Sequence, residues 1–299
     1  MARLSRKVWI GIGAASLVGA AVGGPGASPA EAQHGPQHTG KHGTTAPAAT
    51  PGEAKGKNSD AAPAPQSGGL AAPQGGEAYL TDGGPSDTRI RIYRDIALMR
   101  GHLLVGAELI ELGLWDEALP HFLHPTEELY GAMERYIKLH KVTPFDRPLK
   151  ALAQAVKAKN KPAYLQAAKV VEERLAGALT AFKRFMTVQP FSSYTARTLV
   201  EMLKIAKAEY EAAIEDGKFV KPVEYQDSRG FVWHAEELLA RHSAEFERVD
   251  GARLAELRRL LQDLKRAWPA AIPPASPVVD VASLGQAVDA FEKAAERFF

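Results

Sequence analysis

From Asp87 to the C-terminus, large apolar residues return at every third or fourth position, and no run of β-branched residues alternates in the manner of a strand. A chain with that period can bury its apolar stripes only helix against helix. The region is about 210 residues long, enough for one sizeable core. The spacing predicts helices over 88–112, 115–140, 146–158, 162–187, 192–216, 223–248, 251–267 and 281–299. The second is expected to kink or split at Pro120 and Pro125, which lack a backbone donor and disfavour helical geometry at the preceding residue. Ser192 and Ser193 are cap candidates, Gly113 and Gly217 read as stops, and Pro269 to Pro277 forms a rigid connector. The expected fold class is all-α: an up-and-down helical bundle over 88–268, with the connector and a C-terminal helix over 269–299 as satellites. A loose echo between Ala107-Glu-Leu109 and Ala208-Glu-Tyr210, each followed by Gly and a new helix, suggests two pseudo-equivalent helix pairs facing each other.

The N-terminal part has another texture. Residues 1–32 read as a secretory signal: Arg3, Arg6 and Lys7, an uncharged stretch from Val8 to Val22, and the small-x-small site Ala30-Glu31-Ala32. The apolar run falls short of the roughly 20 residues of a membrane span. The protein is therefore expected in the periplasm, with no membrane span after cleavage. Removing that segment takes 3 of 37 basic residues and 1 of 35 acidic ones, leaving 34 of each. A neutral chain has no global field with which to hold nucleic acid. Residues 33–87 are dominated by Gly, Pro, Ala, Ser, Thr and Gln and read as a disordered tether. Within it, His34, His38 and His42 could form a polar linker or a weak metal-catching tail.

There is no cysteine. Stability must come from a core rather than disulfides, and any metal would rest on His, Asp, Glu or Tyr, which suit harder or borderline ions. Several such residues fall on inward stripes. His102 aligns with Leu98, Val105 and Leu109, beside Gly101 and Gly106; it reads equally as a core histidine bonded to a neighbour. Glu108 lies about 120° further around that helix, so the two need not share an ion. His121, His124 and Glu128 would form a ligand-like stripe on a continuous helix, whereas a break at Pro125 would leave His124 extended and Glu128 as a first-turn acid. Glu209 is in register with Met202, Ile205 and Ala213, where a carboxylate requires a cation or an ordinary ion pair. Asp227 and His234 follow one face of the 223–248 helix with Phe231 and Leu238, although Asp227 could instead cap a helix break. The two helical Glu-x-x-His motifs of the di-iron bundle pattern, His-Glu-x-x-His, triad signatures and phosphate loops are absent.

The segment Gly113-Leu-Trp-Asp-Glu-Ala-Leu-Pro-His-Phe-Leu-His-Pro-Thr-Glu-Glu-Leu-Tyr130 resembles the imelysin-like family, which includes a periplasmic component of ferrous-iron uptake systems, as does Glu224-Tyr-Gln-Asp-Ser-Arg-Gly-Phe231. The resemblance implies a periplasmic helical bundle with metal-linked functions. The family's Gly-x-His-x-x-Glu is not reproduced: Gly101-His102 is followed by Glu108 at a different spacing.

The expectation is an exported, non-enzymatic helical protein that binds a divalent ion (iron, copper or zinc) or a metal complex in its bundle and works in metal uptake or handling, with a periplasmic protein as a further partner. Its candidate ligands are His102, Glu108, His121, His124, Glu128, Glu209, Asp227 and His234; one ion could use only part of that set. The alternative is an adaptor whose Trp115, Phe122, Tyr130, Phe231 and Trp233 line a groove for a protein or an apolar small molecule.

Overall fold

The computed structural model describes residues 85–299. The signal segment 1–32, His34, His38, His42 and nearly all of the tether lie outside the described residues. Asp87 caps the first helix, accepting a hydrogen bond from Arg89 N at 2.8 Å, and α1 runs over Thr88–Glu111 until Gly113 turns the chain with a φ of 82°. Next comes a long rod built from α2 (Trp115–His124), a π-helical turn (Pro125–Tyr130) and α3 (Gly131–Leu139). They are followed by α4 (Asp146–Lys157) and α5 (Lys161–Lys183), the latter capped by Asn160.

The second half contains α6 (Phe191–Ala212), a two-residue hairpin pairing Ile214–Glu215 with Lys218–Phe219, and α7 (Pro222–Arg241). Then come α8 (Ser243–Leu264) and, past the proline-rich connector, α9 (Val281–Ala295). α7 packs against α1 and α6, α1 also against α2, and α4 joins α2 to α5; α9 packs on α6 and α8. The architecture is an all-α bundle, as the periodicity requires.

Four local readings are corrected. Pro120 sits inside α2 without breaking it. At Pro125, which has no N–H to give the carbonyl four residues back, the hydrogen bonding changes to a π turn. The rod continues, and His124 keeps helical geometry with φ −50° and ψ −42°. Ser192 and Ser193 are not caps, since Pro190 holds that position and the Ser193 hydroxyl donates to Gln189. The break expected between 248 and 251 is only a kink at Asp250, whose carboxylate caps the next turn through Arg253 N; the true boundary is at His242.

Two glycines fix how closely α1 and α7 meet. A Cβ on Gly230 would collide with the carbonyl oxygen of Gly101, and one on Gly101 would lie 2.6 Å from the Phe231 ring. The two backbones therefore touch at this crossing. His102 is the neighbour of Gly101, and Asp227 lies one turn before Gly230, so the contact brings both side chains into one space.

Candidate metal centre

Asp227, buried on α7, is the hub of the site. His102 Nδ1 from α1 lies 2.5 Å from its Oδ1, His121 Nδ1 from α2 lies 2.7 Å from the same oxygen, and His124 Nδ1 lies 3.0 Å from Oδ2. The side chains of His102, His121 and Asp227 are 4 %, 0 % and 4 % exposed, whereas His124 and Glu128 are at 17 % and 21 %. Glu128 approaches His124 Nε2 at 3.6 Å. His102 is held edge-on against the Phe231 ring at 4.8 Å. Two groups of donor atoms are close enough to share an ion: His102, His121 and Asp227, and separately His102, His124 and Glu128.

Burial works to raise the Asp227 carboxyl, but the charges and hydrogen bonds of His102 and His121 outweigh it and hold the group well below the usual carboxylate range. His102 moves down, chiefly because burial disfavours the imidazolium and despite the pull of Asp227. The contact at 2.5 Å is that of the His102 Nδ1–H donating to an ionised carboxylate.

His121 carries a further constraint. Its Nε2 faces Gln226 Oε1 at 2.9 Å, while Gln226 Nε2 is buried without a hydrogen-bond partner among the described residues. With the amide in this setting, His121 Nε2–H donates to Gln226 and the Nδ1 lone pair points at Asp227 Oδ1. Two lone pairs at 2.7 Å repel unless a proton or a cation lies between them. Turning the amide over would let Gln226 Nε2–H donate to His121 Nε2, move the His121 proton to Nδ1 and leave the amide oxygen in the unpartnered place.

The donor chemistry suits a first-row divalent ion. Each group offers two imidazoles and one carboxylate, the set that holds non-haem ferrous iron, and thiolate is absent. Bonds of about 2.0–2.2 Å place neighbouring ligands roughly 3 Å or more apart. The separations of 2.5 and 2.7 Å from Asp227 to His102 and His121 therefore need to open only slightly, and the 3.6 Å between His124 Nε2 and Glu128 is already wide enough.

Of the eight candidate ligands, the structure brings together His102, His121, His124, Glu128 and Asp227. Glu108 instead takes a two-point contact from Arg229, at 2.8 and 3.1 Å. Arg229 also donates to Trp268 O and lies over the Trp233 ring at 3.8 Å. His234 faces Glu237 on its own helix at 3.3 Å, beside the buried pair of Arg100 and Glu172. Glu209 is buried on α6 and belongs to neither donor group. Gln226 was missed; its one signal was adjacency to Asp227. The five aromatics expected to line a groove are packed inward, Phe122 and Phe231 fully, with Trp115 edge-on to Tyr164 and Tyr130 edge-on to Phe145.

Residues 192–299, which make up α6 to α9, match the family model of the iron permease-associated 4-helix bundle domain. Searches of curated proteins and of solved structures returned no match. The family match overturns the imelysin-like resemblance. That resemblance rested on two short segments. The first, 113–130, lies outside the matched residues, and the acidic–aromatic pattern of 224–231 has a packing cause: Tyr225 donates to Ala270 O while Phe231 fills the space beside Gly101. None of the helices among the described residues is long and apolar enough to cross a membrane.

Proposed function

We propose that this protein binds a divalent transition-metal ion, with ferrous iron as its cargo, at the cluster centred on Asp227, and that it serves an iron-uptake permease as an exported, non-enzymatic partner. The observation that carries the reading is the convergence of three imidazoles from α1 and α2 on one buried, ionised carboxylate of α7. A carboxylate in that setting needs positive charge nearby, and two of its imidazoles meet it on a single oxygen. The match of residues 192–299 to an iron permease-associated domain supports iron as the cargo and a permease as the partner. The signal-like residues 1–32 support export, and the periplasm is the compartment they suit.

The test is metal analysis of untagged protein purified without oxygen, followed by titration of the metal-free form with Fe²⁺. The reading expects one ion per chain, lost in D227N and in H102A. A wild-type chain that takes up no Fe²⁺, Zn²⁺ or Cu²⁺ and melts identically with and without chelator would refute it.

A further inference from the structure

The two donor groups differ in depth and share one member. His102, His121 and Asp227 are fully buried, whereas His124 and Glu128, about a fifth exposed, form the rim. The rim group stands on the π turn: His124 closes α2 and Glu128 lies within Pro125–Tyr130. Such turns recur at functional positions because they re-aim side chains within an otherwise continuous rod. His124 touches both sides, reaching Glu128 through Nε2 and Asp227 through Nδ1.

We infer that a divalent first-row cation enters this site in two steps, captured first by His102, His124 and Glu128 at the rim and then retained by His102, His121 and Asp227 inside. The inference rests on the metal-handling reading above and specifies the route. Both stations offer two imidazoles and one carboxylate, so the ion exchanges like for like and never has to shed its charge compensation during the move. His102 belongs to both stations, so the route passes a single ion along one shared ligand and expects one ion per chain. The rim donors can receive a hydrated ion from solvent, which the buried set cannot. Passing inward replaces Glu128 and His124 by Asp227 and His121 while His102 stays bound. The helices need not separate, which the Gly101–Gly230 contact would resist.

The experiment mixes Co²⁺ with the metal-free full-length chain in a stopped-flow spectrometer and follows the cobalt absorption bands. The expected record has two phases: a fast one whose rate rises with Co²⁺ concentration, then a slower one independent of it, with a change of spectrum between them and one ion per chain at saturation. E128Q is expected to slow the first phase by about tenfold. H121N is expected to abolish the second phase and leave the spectrum of the intermediate, with release of the ion to a chelator faster by about tenfold or more. Circular dichroism and urea midpoints confirm that H121N is folded, and E128Q, at the rim, tests the first step independently. A single phase in the wild type, with both substitutions lowering occupancy in parallel, overturns the two-step route and leaves the metal reading standing. So do two ions per chain at saturation. A wild-type chain that binds neither Co²⁺ nor Fe²⁺ removes the metal reading itself, and the route with it.

Discussion

The helices that match the permease-associated bundle, α6 to α9, and those that precede them, α1 to α5, contribute unequally to the candidate centre. The matched region supplies one donor, Asp227, and the amide of Gln226 beside it; the preceding region supplies His102, His121, His124 and Glu128. Within the matched region Tyr210 donates to Val279 O, Tyr225 donates to Ala270 O and Lys204 pairs with Glu292, while Arg229 reaches out of it to Glu108 on α1. The difference teaches that the buried carboxylate of α7 becomes a candidate site through the imidazoles that α1 and α2 bring to it, whereas Glu209, buried on α6, belongs to neither donor group.

The sharpest way to break this comparison is to separate the layers. G230A inserts a methyl group into the Gly101 carbonyl, and it should cost about 3 kcal/mol in urea unfolding and abolish Fe²⁺ binding. A stable, metal-competent G230A would show that the layers do not need to touch. Next in size, D227N keeps the shape but removes the matched region's only donor; the affinity measured by competition with a chelator should fall by about 100-fold or more. If it falls no more than in E128Q, the carboxylate is not the hub. E108Q tests the Glu108–Arg229 link between the layers. With Glu108 about a third exposed, the loss should be about 1 kcal/mol, with metal affinity unchanged; weakened binding would return Glu108 to the ligand set.

The smallest effect concerns pH. His234 and His242 are both held below the ordinary histidine value, first by burial and then by the nearby cations Arg241 and, respectively, Arg100 and Lys183. A depressed folded value means the unfolded chain takes up the proton first. Stability is therefore fully present above about pH 6.5 and declines as the pH falls below it. Melting temperatures of the metal-free protein between neutral and mildly acidic pH should show that decline, and H234Q should flatten it. An unchanged melting temperature across the range would mean that these histidines charge freely in place.

Much of this was legible beforehand. The helical period located every major rod, and the five clustered donors were all among the eight candidates. Position along a helix cannot, however, report what lies across from it. Glu108 and His102 both stood as polar residues of α1 with an open choice of partner, yet one meets Arg229 and the other Asp227, 121 and 125 residues away. The boundary at His242 carries neither glycine nor proline and is set by packing, with Tyr93 and Glu245 around the ring. The hairpin at 214–219 did have a signal, the Asp216-Gly217 pair, both of whose residues adopt positive φ. The π turn left only Pro125 to see, and a proline announces a fault in the hydrogen bonding without saying how the chain repairs it.

The contact between Gly101 and Gly230 also bears on any attempt to retune this protein for a different ion. Because no side chain fits at that seam, the spacing of α1 and α7 cannot be adjusted in small increments. Selectivity would have to be redesigned from the outer edge, where His124 and the turn beyond it are part-exposed, since His121 is itself packed against Gly106.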